Sequence, residues 1–150
     1  MQTFLNLNHS DNEIIYSSEN KTVIQSLEKR VKYLIIYGSN KSGKTTIAKK
    51  FSINNNIDLI NTVPNELNFN KETYLDLNTL PGQDENFFHF LQYFVTNNIP
   101  LTIFTSENSI DNLNGEFYLP DVVSRLKQFT LCNIHTVSYT HLTLPTMDSV

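Results

Sequence analysis

The chain has 150 residues, a length that suits a single domain with a modest hydrophobic core. Its formal net charge of −4 excludes a basic field over the whole protein that would attract nucleic acid. The single cysteine, Cys132, excludes an internal disulfide framework and fits a reducing compartment. The first residues show neither the basic region nor the apolar run of a secretory signal, so we expect none, and no apolar run reaches membrane-spanning length. The sequence therefore predicts a cytoplasmic protein without a membrane partner.

Apolar runs of strand length alternate with amphipathic segments of helix length along most of the chain. In chain order, the pattern predicts a helix at 17–31, a strand at 33–37, a helix at 43–51, strands at 56–61 and 71–78, a helix at 84–97, a strand at 99–106, a helix at 119–128 and a strand at 129–134. The first strand is a continuous apolar run, which is typical of a strand buried on both faces of a parallel sheet. This alternation predicts a three-layer α/β domain with a mostly parallel five-stranded sheet.

A glycine-rich turn lies between the first predicted strand and the helix that follows it. The turn reads Gly38-Ser39-Asn40-Lys41-Ser42-Gly43-Lys44-Thr45 and matches the phosphate-loop pattern G-x-x-x-x-G-K-[ST] at every position. Glycine at both ends allows backbone geometry that directs N–H groups and a helix N-terminus at a phosphate. Lys44 is predicted to reach the β and γ phosphates, and Thr45 to offer its hydroxyl to Mg²⁺. The loop therefore predicts that the protein binds ATP or ADP with Mg²⁺.

Features on both sides of this loop carry a resemblance to a known family. Upstream, the stretch Tyr-Ser-Ser-Glu-Asn ends at Asn20. Downstream, a Phe-Phe-His helix at 87–89 precedes an apolar strand that ends in Thr105-Ser106, and a Leu-Pro-Asp…Ser-Arg-Leu box follows at 119–126. In this order and spacing, the chain resembles the AAA+ module of the DnaA/Hda family of bacterial replication proteins, and the short regulatory Hda type most closely. The resemblance covers residues 1 to about 136.

The resemblance implies a set of site residues. The phosphate cradle would comprise Gly38, Ser39, Asn40, Lys41, Ser42, Gly43, Lys44, Thr45 and Thr46. Asn20 would lie near the adenine, and Thr105 or Ser106 would be the sensor near the γ phosphate. Arg125 would be an arginine finger, which in this family acts in trans on nucleotide bound to a neighbouring subunit. The guanidinium of such a finger stabilises the charge that develops during phosphoryl transfer.

The second acidic motif departs from the family pattern. The family has two adjacent acids at the end of the third strand, the first for Mg²⁺ and the second for the attacking water. Here the corresponding residues are Leu75-Asp76-Leu77, with one carboxylate. If Asp76 is the first acid, it joins Thr45 at the metal and Leu77 replaces the water-activating acid; if it is the second, Leu75 replaces the Mg²⁺ acid. Because leucine can do neither job, we expect slow or negligible intrinsic hydrolysis.

The resemblance implies a regulatory role in chromosomal replication. An Hda-like protein would hold its nucleotide as a regulatory ligand and use Arg125 to provoke ATP hydrolysis by the initiator, DnaA. In the family, a Gln-Leu-x-Leu-type peptide binds the replication sliding clamp. Residues 2–7, Gln-Thr-Phe-Leu-Asn-Leu, keep only part of that pattern, and their apolar side chains are equally suited to packing on the domain.

Two other functions remain open at this point. A small phosphoryl-transfer enzyme such as a nucleotide kinase would share the phosphate loop, but it would need an arginine-rich lid, and the chain has only Arg30 and Arg125. A fragment of the initiator itself would share the whole AAA+ module. The chain contains no helix-turn-helix, so we expect no direct sequence-specific DNA binding.

The last residues do not continue the pattern. Residues 137–150, Val-Ser-Tyr-Thr-His-Leu-Thr-Leu-Pro-Thr-Met-Asp-Ser-Val, resemble a translated sequencing-adapter fragment. We therefore expect the nucleotide-binding domain to comprise residues 1–136 and the tail to be artefactual or disordered. Nothing after residue 136 resembles the helical lid of AAA+ proteins, and the domain is predicted without one.

Overall fold

The computed structural model describes residues 21–39, 43–113 and 116–134. Its helices are α1 (Lys21–Glu28), α2 (Lys44–Asn55), α3 (Glu85–Thr96), α4 (Glu107–Asp111) and α5 (Pro120–Leu126). Its strands are β1 (Tyr33–Gly38), β2 (Asp58–Ile60), β3 (Thr73–Asp76), β4 (Leu101–Ser106) and β5 (Thr130–Asn133). Each predicted element has a counterpart here, and α4 is a helix that the sequence pattern did not predict. Within these ranges, none of the helices is long and apolar enough to cross a membrane.

The five strands form one sheet in the order β2-β3-β4-β1-β5, and every neighbouring pair is parallel. The predicted α/β fold with a five-stranded sheet is therefore confirmed, and the sheet is parallel throughout the described residues. Strand β4 lies between β1 and β3, with Gly38 opposite Ser106 and Asp76 opposite Phe104. The carboxyl ends of these three strands consequently meet at one edge of the sheet.

Helices cover both faces of the sheet. The chain crosses from β1 to β2 in one direction and from β4 to β5 in the other, so right-handed connections place the intervening helices on opposite faces. One hydrophobic cluster joins α1 and α2 to the sheet, and its members include Val23, Phe51 and Ile36. A second cluster joins α3 and α5 to the other face, with Ile35 among its strand residues. The sheet thus lies between two helical layers, as predicted.

The largest part of the second cluster comes from α3. Asp84 precedes this helix, and its side chain accepts a hydrogen bond from the Asn86 amide at 2.8 Å, which satisfies one of the unpaired N–H groups of the first turn. The apolar residues of α3 recur at helical spacing, and the buried ones are Phe87, Phe90, Leu91 and Phe94. The rings of Phe90 and Phe94 pack tilted against each other, and both pack edge-on or tilted against Phe69, as aromatic rings prefer.

A close backbone contact joins the loop after β3 to the segment before α5. The Leu119 amide donates a hydrogen bond to the Gly82 carbonyl at 2.8 Å. A Cβ atom at position 82 would approach the Phe117 carbonyl oxygen to 2.5 Å, so only glycine fits here. The loop that leaves the edge of β3 is therefore fixed to the start of the α5 helix.

Some predictions fall outside the described residues. These are the adenine contact of Asn20, the loop residues Asn40, Lys41 and Ser42, the N-terminal segment 2–7 and the tail at 137–150.

The burial of Tyr74 predicts how the fold responds to alkali. Tyr74 on β3 is buried, and this burial, with the nearby Glu72 charge, raises the pKa of its phenol well above the ordinary value of about 10. A raised pKa in the folded state gives stability that is complete below about pH 10 and is lost as the unfolded chain ionises above it. Between pH 8 and pH 11, the free energy of unfolding should therefore fall by about 1.4 kcal/mol less in Tyr74→Phe than in the wild type.

Urea unfolding at the two pH values measures this difference. Tyr37→Phe, which removes a hydroxyl from a half-buried position on β1, is the matched control. Equal losses of stability in wild type and Tyr74→Phe would contradict the assignment.

Candidate functional site

The candidate site lies at the carboxyl edge of the sheet, where β1 and β4 are neighbours. The connection after β1 leads to the β2 side of the sheet, and the connection after β4 leads to the β5 side. In open parallel sheets, such a reversal leaves a crevice outside the strand ends in which ligands bind. The predicted phosphate loop follows β1 at this point.

The turn into α2 depends on a glycine with left-handed backbone geometry. Gly43 has φ 89° and ψ 15°, a conformation that is costly for residues with a Cβ atom. It occupies the N-cap position of α2 and, being glycine, offers no side chain to cap the first turn. The helix dipole therefore adds partial positive charge at this edge of the sheet, and a helix N-terminus of this kind can bind an anion.

Lys44 lies over the end of β1. Its ammonium nitrogen donates hydrogen bonds to the carbonyl oxygens of Gly38 at 3.1 Å and Ser39 at 2.7 Å. The side chain is buried, and this burial lowers the pKa of the Lys44 ammonium, while the negative charges of Asp76 and Glu107 oppose the shift. The site thus keeps one ammonium group that backbone carbonyls hold and that the charges of two carboxylates stabilise.

Thr45 and Asp76 meet across the edge of the sheet. The Thr45 hydroxyl donates a hydrogen bond to an Asp76 carboxylate oxygen at 3.0 Å. Successive side chains of β3 alternate between the two faces, and Tyr74 packs in the α1/α2 cluster. Asp76 therefore lies on the same face of the sheet as α2.

Leu77 lies on the other face of the sheet, against the α3/α5 cluster. It cannot act on a ligand beside Lys44, because the sheet separates it from α2. The second alternative for Asp76, with Leu75 at the metal position, is disfavoured because Leu75 is also buried in the α3/α5 cluster.

The residues present fit a Mg²⁺ ion that is held together with nucleotide phosphates. Magnesium commonly keeps several waters and takes one or two protein oxygens in addition to phosphate oxygens. Thr45 Oγ1 and Asp76 supply two such oxygens, 3.0 Å apart. In the described part of the chain, no group of three or more His, Cys, Asp or Glu side chains could hold a metal ion by itself.

The two candidate sensor residues differ in where they lie. Thr105 is fully buried, and its hydroxyl donates to the Asn78 carbonyl at 3.3 Å. Ser106 is half-buried and pairs with Gly38 across β1 and β4, and its hydroxyl accepts from the Ser109 amide at the start of α4. Strand alternation places Ser106 on the face of Phe104, which packs with α2. Of the two, Ser106 is therefore the residue that faces the candidate site.

Sequence reasoning missed Glu107. It is exposed and directly follows Ser106, so it lies one residue beyond the level of Gly38 at the edge of the sheet. Its charge acts on the Lys44 ammonium. The only sequence signal was its place after a strand end, which gains meaning once β4 is known to pair with β1.

Arg125 does not join this cluster. It lies on α5, in the helical layer opposite α2, and its guanidinium carbon is 5.8 Å from the centre of the Phe88 ring on α3. Thr46, also predicted in the cradle, is exposed on the first turn of α2. Of the predicted residues, the structure thus brings together the loop ends with Lys44, Thr45, Asp76 and Ser106, and it holds Arg125 apart.

A scan of the sequence against models of protein families finds no match, and a search of curated proteins finds none either. The family resemblance therefore depends on the motifs quoted above.

The carboxylates around Lys44 predict a measurable effect on its titration. Since negative charge favours the ammonium form, removing either carboxylate charge should lower the pKa of Lys44 further, and Asp76→Asn should lower it more than Glu107→Gln. Titration of the lysine Cε resonances by NMR, with Lys44→Arg to assign the signal, measures the shift. Glu116→Gln, another exposed acid, serves as the control. A Lys44 pKa that is unchanged or raised in Glu107→Gln would contradict this arrangement.

Proposed function

We propose that the protein is a regulatory P-loop protein of the AAA+ type, similar to the DnaA/Hda family, which binds ATP or ADP with Mg²⁺. The observation that carries the proposal is the meeting of Lys44, Thr45 and Asp76 at the carboxyl edge of a parallel sheet. These three side chains come from a contiguous phosphate-loop motif and from a strand more than thirty residues away. Their convergence is the arrangement that the motif requires if it is to hold a nucleotide.

Each group has a distinct role in this proposal. The backbone N–H groups after Gly43 bind phosphate oxygens, and Lys44 balances their negative charge. Thr45 and Asp76 hold the Mg²⁺ ion, which when bound neutralises charge on the phosphates. Lys44 already has two carbonyl acceptors, so it is held close to its working position before the nucleotide binds.

Hydrolysis by this chain alone is proposed to be slow. Fast phosphoryl transfer to water needs a residue that orients the attacking water. The position next to Asp76 is Leu77, whose side chain packs in the opposite layer. The bound nucleotide would therefore act as a lasting ligand, which suits a regulator.

The proposed partner is the replication initiator, DnaA, which would receive Arg125 in trans. Support for this comes from the position of Arg125, which lies in the opposite layer from α2 and so cannot serve the chain's own phosphate site. Two further parts of the proposal rest on the sequence alone. They are binding to the sliding clamp through residues 2–7 and a cytoplasmic location. The same site would serve the AAA+ part of the initiator itself.

A nucleotide kinase is less well supported. Such an enzyme needs arginines that close over the donor and acceptor phosphates. Arg30 donates two hydrogen bonds to Glu72, and Arg125 stacks on Phe88, so neither arginine covers the candidate site.

Lys44→Ala tests nucleotide binding. Hydrogen bonds to charged groups contribute about 1.5–3 kcal/mol, so the variant should bind ADP about 10- to 100-fold more weakly than the wild type. Fluorescence titration with a labelled ADP measures the affinity. Lys49→Ala changes an exposed lysine on the same helix and should leave it unchanged. Equal affinity in the wild type and Lys44→Ala would show that the loop does not bind nucleotide in this way.

Arg125→Ala tests the action in trans. The variant should keep the chain's own affinity for ADP and lose its stimulation of ATP hydrolysis by the initiator, an effect on the order of 10³-fold for arginine fingers. Hydrolysis of radiolabelled ATP bound to the initiator measures the stimulation. A loss of the variant's own nucleotide affinity would mean that Arg125 serves this chain's site, and the proposal would be wrong.

A further inference from the structure

The surroundings of Arg125 are unusual for an arginine on a short helix. Asp121 precedes it by four residues on α5, which is the spacing at which opposite charges on a helix pair most readily. No ion pair joins the two side chains in the described structure. The guanidinium instead lies against the Phe88 ring of α3, with its central carbon 5.8 Å from the ring centre.

The nitrogen atoms of this guanidinium divide into two kinds. Nε is buried and has no hydrogen-bond partner, and it is the single buried side-chain nitrogen or oxygen in the described residues in this state. Neither terminal nitrogen is a buried, unpaired atom of this kind, and the residue as a whole is half-buried. The inner end of the side chain is thus buried, while the residue as a whole remains partly accessible to solvent.

The other arginine of the chain, Arg30, is bonded differently. Arg30 donates from Nε at 3.0 Å and from a terminal nitrogen at 2.7 Å to one oxygen of Glu72, and that ion pair joins the turn after α1 to the residue before β3. Both kinds of nitrogen in Arg30 are thus engaged within the chain. Arg125 has an acidic neighbour available and does not use it.

We propose that Phe88 is the positioning residue of Arg125, holding its guanidinium against the ring so that the terminal nitrogens are presented to a phosphoryl group on another protein chain. This inference deepens the proposed function and rests on it. An arginine over an aromatic ring is stabilised by the negative face of the ring, and its planar fork remains free for two parallel hydrogen bonds to an oxyanion. Because the ring fixes the side chain beforehand, less rotamer freedom is lost when the partner binds.

The charges around this pair favour a phosphoryl group delivered by a protein over free nucleotide. A cavity of about 360 Å³ beside Phe88 is lined by Glu85, His89 and Asp121 among others. Its two carboxylates repel a free anion in solution. A phosphoryl group held by a partner chain approaches with the binding energy of the whole interface, which offsets this repulsion.

Phe88→Leu and Phe88→Tyr separate the ring's electronic role from its volume. Leucine keeps an apolar side chain on α3 but has no ring face, whereas tyrosine keeps the ring. Circular dichroism and thermal unfolding establish that both variants are folded. A property that depends on the ring face should then be lost in Phe88→Leu and kept in Phe88→Tyr.

The first readout needs no partner, because the chain has only two arginines. An Hε–Nε correlation spectrum should contain two signals, and Arg30→Lys removes one of them. We expect the Arg125 signal to be shifted by the ring current of Phe88 and to exchange slowly with water. In Phe88→Leu it should return to the ordinary arginine position and exchange faster, while Phe88→Tyr keeps the shift. An Arg125 signal that is the same in Phe88→Leu as in the wild type would overturn the inference.

The second readout uses the initiator loaded with radiolabelled ATP. Phe88→Leu should lower the maximal rate of stimulated hydrolysis about tenfold. The concentration of the chain that gives half of the maximal rate should not change, and Phe88→Tyr should keep the wild-type rate. A full rate in Phe88→Leu, beside loss of stimulation in Arg125→Ala, overturns the positioning role and leaves the proposed function standing. Full stimulation by Arg125→Ala overturns the proposed function itself.

Discussion

The parallel pairing of β1, β4 and β3 determines where every charged group of the candidate site lies. Gly38 is level with Ser106, and Asp76 is level with Phe104, so the three strands end together. Lys44 turns back onto the end of β1, and there its ammonium feels the charges of Asp76 at the end of β3 and Glu107 at the start of α4. The register of the sheet thus brings the charged residues of three segments that are distant in sequence to the same edge.

The same sheet geometry explains why one carboxylate serves the site and a leucine follows it. Adjacent residues at the end of β3 point to opposite faces, so Asp76 meets Thr45 while Leu77 packs against the α3/α5 cluster. A carboxylate at position 77 would have to lie against that apolar layer or turn out of it, and burying an unpaired charge is strongly unfavourable. At this position the chain gains hydrophobic packing in place of a carboxylate that could orient water.

The sequence predicted what depends on local pattern and could not predict what depends on packing between elements. Strand and helix periodicity indicated the layers, and the contiguous motif identified Lys44 and Thr45. Helix α4 was missed because its five residues, Glu-Asn-Ser-Ile-Asp, are too few to show an apolar period. Glu107 gains a role only from the pairing of β4 with β1, and the contact of Arg125 with Phe88 arises from the packing of α5 on α3. Neither can be read from spacing along the chain.

The central claim is that the edge formed by β1, β4 and β3 binds a nucleotide with Mg²⁺. Isothermal titration of the chain with ADP and with ATP, each in the presence and absence of Mg²⁺, tests it most directly. The account predicts saturable binding of one nucleotide per chain that becomes tighter when Mg²⁺ is added, because Thr45 and Asp76 then share the ion with the phosphates. A chain that is folded by circular dichroism and binds neither nucleotide, with or without Mg²⁺, would contradict it.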